Sequence, residues 1–280
     1  MNIEVEGTTR AIPQTIWVLW FQRLDKAPYV VRKCHESWVA KNPGWQVVTL
    51  DDETLPRYAS ADYHAGNLAT MLLQHRSDLV RLDLLTRHGG AWIDATCCCV
   101  QPLDDWLWPN TRSGFFAFDR PGYDRLISSW FLAAEPKNVL MSRLYDQMLA
   151  YWGDHPLRGA RQQFKVKALT HLLRRTPRTR GWWFSRPVTD WLVIAPYYAL
   201  HYGFEKLIRD DPDCARIWEQ TPKISALPSH RLHEVGLLSP VSDAVRSEID
   251  RRTTPLYKTA WNLKGQAIPD DSNLGYLLND

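Results

Sequence analysis

The sequence has no run of 18 consecutive apolar residues, so it offers no candidate for a membrane-crossing helix. Its opening, Met1 to Gly7, carries two glutamates and no apolar stretch, and neither a secretory signal nor an anchor is expected there. Cysteine is scarce. Of five residues, three are the adjacent Cys97, Cys98 and Cys99, a pattern that suits neither a disulfide framework nor the spaced ligands of a zinc site. A reducing cytoplasm is the expected setting. No HExxH or GxSxG occurs, which removes the motif support for zinc-peptidase and α/β-hydrolase chemistry. Internal repeats and low-complexity tracts are missing too, and with 45% hydrophobic and 23% charged residues the chain reads as globular.

Acidic residues are absent from one stretch. Positions 158–186 hold nine of the 34 lysines and arginines and none of the 31 aspartates and glutamates, although the whole chain is nearly neutral at +3. Phe164, Trp182, Trp183 and Phe184 interleave with these cations. The pattern suits a solvated basic face, an anionic membrane surface or a nucleic acid. Near-neutrality of the chain favours the membrane over nucleic acid, and no nucleic-acid partner is expected. Tryptophan, by contrast, is abundant at 14 residues, enough to fill a core and also line a cleft that holds a ring.

At 280 residues one α/β domain is expected, with about 11–110 as its first half and about 111–280 as its second. Ala11 to Trp20 ends in a β-branched apolar run and reads as a buried strand. Tyr29 to Ala40 places Val30, Cys34 and Trp38 on one helical face. Asn42-Pro43-Gly44 breaks it, and Trp45 to Leu50 is the next strand. This β-α-β order predicts a sheet of the nucleotide-binding type. A helix over Leu68 to Arg87, stopped by Gly89-Gly90, leads into a strand Ala91 to Asp94. Asp94 then falls at a strand's carboxyl end, where α/β sheets bind ligands. Beyond it, Phe115 to Phe118 predicts a strand, Ser128 to Trp152 an apolar helix, and the region after Pro187 proline-rich loops.

Asp78 and Arg81, three apart, share a helical face on which a carboxylate and a guanidinium can grip hydroxyl groups together. They can equally form a surface ion pair of little consequence. Asp94 and Thr96, at strand spacing, can turn two oxygens to one side as a hard divalent cation requires, or Asp94 can simply cap the following turn. If the strand continues, Cys97 and Cys99 face one way and Cys98 the other, as small buried residues.

Taken together, Ile12-Pro-Gln-Thr-Ile-Trp17 with Trp20, Ser37-Trp38, Asn42-Pro-Gly-Trp45, Ser77-Asp-Leu-Val-Arg81 and Gly89-Gly-Ala-Trp-Ile-Asp-Ala-Thr96 resemble the capsular polysaccharide synthesis proteins. These are relatives of glycosyltransferase family 32 and, more remotely, of glucosylating bacterial toxins. A looser match continues through Ile127 to Ala134 and Tyr257 to Trp261. The resemblance implies a type A glycosyltransferase fold, a Rossmann-like mixed sheet flanked by helices, that transfers sugar with retention. It implies a nucleotide-sugar donor, UDP-linked before GDP-linked, and a saccharide or lipid-linked acceptor in polysaccharide or glycoconjugate biosynthesis. It assigns Trp20 to the base, Asp78 and Arg81 to the donor sugar, and Asp94 to sugar and metal-bound diphosphate. Thr259 would help Asp94 and Thr96 hold Mn2+ or Mg2+, and Trp261 would cover the diphosphate. The family motif is usually Asp-x-Asp, and Thr96 removes one charged ligand. Lys258 is placed either to supply the missing positive charge beside the phosphates or as a solvated lysine. Two readings follow: a cytoplasmic hexosyltransferase, touching the inner face of an anionic membrane through 158–186, or a nucleotide-sugar or carbohydrate-binding protein with weak catalysis.

Overall fold

A computed structural model describes residues 12–155 and 163–279. Ala11 and residues 158–162 of the basic stretch lie outside the described residues. Strands β1 (Thr15–Leu19), β2 (Gln46–Leu50), β3 (Gly90–Asp94), β4 (Cys97–Cys99), β5 (Phe115–Gly122), β6 (Arg125–Ala134) and β7 (Leu256–Lys258) build two sheets. The larger has the order β2-β1-β3-β6-β5, with β1 parallel to β2 and β3, and with β6 antiparallel to β3 and β5. The smaller pairs β4 with β7. This is a mixed α/β sheet flanked by helices, as the β-α-β order of the first half predicts.

Its first helices are α1 (Tyr29–Lys41), α2 (Gly66–Ala69), α3 (Leu73–His88) and α4 (Leu103–Trp106). The second half adds α5 (Val139–Gly153), α6 (Gln163–Leu173), α7 (Pro177–Gly181), α8 (Ala199–Asp210), α9 (Pro212–Gln220), α10 (Arg231–Val235), α11 (Asp243–Asp250) and α12 (Asn273–Asn279). Among the described residues no helix is long and apolar enough to cross a membrane.

Strand alternation explains why the sheet is apolar on both faces. Trp17, Leu19 and Trp92 pack on one side with Leu79, Leu82, Met148 and Phe204, beneath α3, α5 and α8. Ile16, Val18, Ala91 and Ile93 pack on the other with Trp38, Phe116, Phe118 and Phe131. The cysteine run alternates in the same way: Cys97 and Cys99 join this second cluster, while Cys98 enters a third with Cys34, Tyr257 and Leu274. Burial pushes the Cys97 and Cys99 thiols up to about 12. Nine of the 14 tryptophans are buried.

Three elements differ from expectation. The helix over Leu68 to Arg87 is interrupted, because Leu72 is extended and α3 starts afresh at Leu73. Ser128 to Trp152 is a strand followed by a helix: the second half of β6, residues 130–134, is covered on both faces and is apolar at every position, which periodicity alone reads as helix. Lys137, at φ 60°, turns the chain, and the Asn138 side chain caps α5 by accepting from the Leu140 and Met141 amides. After Pro187 the chain forms packed helices as well as loops. Pro212 occupies the first turn of α9, where the missing N–H has no partner to lose, and Asp211 caps that helix.

Candidate active site

The site forms at the carboxyl ends of β1 and β3, where Leu19 pairs with Asp94. Gly89 and Gly90 make its position possible. Both have positive φ, and a Cβ on Gly90 would lie 2.5 Å from the Thr15 carbonyl oxygen, so only glycine lets α3 turn directly into a strand beside β1. The indole of Trp17 donates to the Gly89 carbonyl at 2.8 Å and fixes the turn.

Arg81 is buried and reaches both aspartates: Nη2 lies 3.1 Å from Asp78 Oδ1, and Nη1 lies 3.3 Å from Asp94 Oδ1. It also donates to the Ser77 carbonyl and hydroxyl, each at 3.2 Å, and to the Ser129 carbonyl on β6. Trp92 lies beneath the guanidinium, 5.0 Å from ring centre to Cζ, and its indole donates to Asp94 Oδ1 at 3.1 Å. Lys258 enters from β7, held in register by its pairing with Cys97, and donates to Asp94 Oδ2 at 3.0 Å and to Thr96 Oγ1 at 2.6 Å. Lys258 is therefore a member of the site and not a solvated lysine.

Burial opposes ionisation of both aspartates, but with opposite outcomes. At Asp94, Lys258 and Arg81 outweigh burial and hold the carboxyl at about 2. At Asp78, burial dominates, Arg81 offsets only part of it, and the neighbouring Asp94 charge adds to it, so the carboxyl rises to about 6.

Two cavities meet here. The first, about 570 Å³, is lined by Trp20, Trp261, Arg81, Asp94, Thr96 and Lys258 among others. Trp20 and Trp261 meet edge to face in its wall, with ring centres 5.7 Å apart. The second, about 360 Å³, is lined by Asp78, Tyr197, His201 and His230, with Arg81, Asp94 and Lys258 again in its wall. Asp78 borders only the second. The predicted residues thus converge, with the exception of Thr259. Its hydroxyl is buried and donates to the Thr96 carbonyl at 2.8 Å, so it shapes the turn from beneath.

The three residues expected to hold a divalent cation, Asp94, Thr96 and Thr259, are engaged by other groups of the protein. Asp94 and Thr96 do not lie on one strand: the chain turns at Ala95 and Thr96 before β4 begins. The Thr96 hydroxyl accepts from an ammonium group, the Thr259 hydroxyl faces the backbone, and the single carboxylate already carries two cationic partners.

Sequence spacing missed Ser129, Tyr197, His201 and His230, which arrive from three distant segments and carry no local signature. It also gave no sign that several motif residues are framework. Ser37 Oγ accepts from the Cys99 amide and Trp38 donates to the Cys97 carbonyl, tying α1 to β4, and Asn42 Oδ1, just past α1, accepts from the Leu103 amide at the start of α4.

The chain is 28% identical over 159 residues to O-glycosyltransferase braB of Annulohypoxylon truncatum, covering 50% of this chain and 38% of that protein. It is 30% identical over 223 residues to glycosyltransferase afumC of Aspergillus fumigatus, covering 69% and 54%. The chain thus spans about half or less of the length of these curated relatives. Among solved structures, PaToxG glycosyltransferase aligns over 74% of this chain and 75% of its own at 13% identity and a TM-score of 0.41. Residues 4–159 match the family described as capsular polysaccharide synthesis protein, and the chain belongs to that family.

Proposed function

We propose that the chain is a glycosyltransferase that moves a hexose from a nucleotide sugar to a saccharide or lipid-linked acceptor in polysaccharide or glycoconjugate biosynthesis. A UDP-sugar is the favoured donor and a GDP-sugar the second. The observation that carries this reading is the shared wall: Arg81, Asp94 and Lys258 border both cavities, so a bond lying across the junction has one partner on each side. In this reading the base rests against Trp20 in the first cavity, with Trp261 over the diphosphate. The hexose extends into the second, where Asp78 and Arg81 hold its hydroxyls and space remains for the acceptor. Transfer breaks the bond from the anomeric carbon to the diphosphate oxygen, which leaves with the bonding pair, and joins that carbon to an acceptor oxygen that loses its proton. Arg81 and Lys258 stand where the leaving group gains negative charge, and preorganised cations in a largely desolvated site are the main source of such catalysis. Retention at the anomeric carbon rests on the family likeness.

A panel of nucleotide sugars tests the reading by thermal shift and by donor hydrolysis. A UDP- or GDP-sugar should raise the melting temperature, because a ligand specific to the native state stabilises it. Slow hydrolysis of the same donor without acceptor should accompany the shift. A shift without hydrolysis selects the weakly catalytic nucleotide-sugar or carbohydrate-binding protein, and no shift with any donor removes both.

Contact with an anionic membrane is a separate proposal about location. It is supported by Leu172, Trp182 and Trp191, which are exposed at 55, 63 and 80% in or just beyond the basic stretch. Arg180 does not contribute, since it is buried against Glu205. Phosphatidylserine vesicles should retain the protein at low salt and release it as salt rises, whereas neutral vesicles should not. Equal retention by both would end this proposal.

A further inference from the structure

We infer that the Lys258 ammonium is the built-in cation of this site, so that the chain binds a nucleoside diphosphate without a divalent metal; this rests on the nucleotide-sugar reading above. The position at issue is the space between Asp94 and Thr96, opposite the first cavity. An Asp-x-Asp motif would present two carboxylates to that space and need a metal to bridge them to phosphate. Here the second carboxylate is replaced by a hydroxyl, and an ammonium group sits between the two side chains, 3.0 Å from Asp94 Oδ2 and 2.6 Å from Thr96 Oγ1. An ammonium has three N–H donors and no acceptor, so with two protons engaged a third remains for a phosphate oxygen.

The backbone makes this placement durable. Lys258 ends β7 opposite Cys97, and the next residue clamps the Ala95–Thr96 turn: the Thr259 amide and hydroxyl both donate to the Thr96 carbonyl at 2.8 Å. These bonds fix the Lys258 backbone beside the turn, and the ammonium itself is held by Asp94 and Thr96. Arg81 adds a second fixed cation on the other side of Asp94, 3.3 Å away, so one aspartate is flanked by two cations in a wall that both cavities share. A third cation in this wall would meet repulsion from both, and the carboxylate between them is already paired twice. Asp78 occupies the far side of Arg81, so the N–H left to meet an anion is that of Lys258.

Calorimetric titration of UDP and GDP, in excess EDTA and in excess Mn2+, tests the inference on the full chain. Wild type is expected to bind one of them equally well in both. Lys258→Met should weaken that affinity roughly ten- to a hundredfold, the range of a hydrogen bond to a charged group, while the parent nucleoside binds as before. Lys258→Arg keeps the charge and should retain metal-free binding, which separates loss of the cation from loss of the fold. Thr96→Asp should neutralise the lysine, weaken binding in EDTA and make it recover with Mn2+. If wild type binds a diphosphate only with Mn2+, or if Lys258→Met folds and binds as wild type does in EDTA, the inference is overturned while the nucleotide reading stands. If neither diphosphate binds under either condition, both fall together.

Discussion

Two buried ion clusters lie in the same molecule and are built differently. Between α7 and α8, Arg180 meets Glu205 in a closed fork, Nε to Oε2 and Nη2 to Oε1 both at 2.6 Å, and its remaining Nη1 donates to the Arg174 carbonyl at 2.7 Å. In the candidate site, Arg81 divides itself between Asp78 and Asp94 at 3.1 and 3.3 Å, and Asp94 divides itself between Arg81 and Lys258. The first cluster satisfies its partners within the protein. The second keeps longer contacts, mismatched protonation behaviour in its two carboxyls and an open side on two cavities. A buried ion pair with ideal geometry and no adjoining space is a fastening, while one with shared partners beside a cavity is poised for a ligand.

The largest expected effect separates the two as fastening and site. Arg180→Ala leaves Glu205 buried and unpaired, which costs about 3–5 kcal/mol in such cases, and urea unfolding should register that loss. Donor hydrolysis per folded molecule should be unchanged. A stable variant with impaired hydrolysis would erase the distinction. Asp94→Asn should do the opposite, lowering transfer by roughly a hundred- to a thousandfold, the range seen when one preorganised electrostatic group is removed. Its stability loss should be smaller, about 2 kcal/mol at neutral pH, because the folded carboxyl is held at about 2 against an ordinary 3.8. That contribution is present above pH 3.8 and disappears as pH falls through about 2.

Asp78 sharpens the comparison through pH. Its folded carboxyl titrates at about 6 and its unfolded one near 3.8, so wild type loses stability relative to Asp78→Asn as pH rises between these values. Above about pH 7 the difference should be constant, with the variant more stable by on the order of 2–3 kcal/mol. Melting curves from pH 4 to 8 give this directly, and a variant that is less stable at pH 8 would show that the Arg81 pair outweighs burial. The smallest effect is at the rim. Trp20→Ala should weaken nucleoside binding by about 1–3 kcal/mol, the range for base stacking on an aromatic, with little change in melting temperature. Unchanged affinity for uridine and guanosine nucleotides alike would make Trp20 a wall residue only.

The parallel half of the sheet was legible in the sequence because it is built from local signals: a proline before β1, the Asn42-Pro43-Gly44 break, and a glycine pair that only one geometry accommodates. Asp78, Arg81 and Asp94 were legible for the same reason, since one helix and the strand after it hold all three. Strand β6 was not, because a strand covered on both faces loses its alternation, although Pro136 within the expected helix was an available warning. The second cavity was illegible in principle. Tyr197, His201 and His230 reach it through the packing of α8 and the segment before α10, and no spacing in the chain encodes that meeting. Lys258 lay between: its type suggested a phosphate partner, but only the register of β7 against β4 brings it to Asp94.

A crystal structure of the chain with a UDP- or GDP-sugar, or the corresponding diphosphate, grown with Mn2+ present, tests the central claim most directly. The account predicts the base against Trp20, a diphosphate oxygen within hydrogen-bond distance of Lys258 Nζ, and the hexose directed past Arg81 toward Asp78. A nucleotide bound elsewhere, or a manganese ion between Asp94 and the diphosphate with Lys258 displaced from the turn, would contradict it.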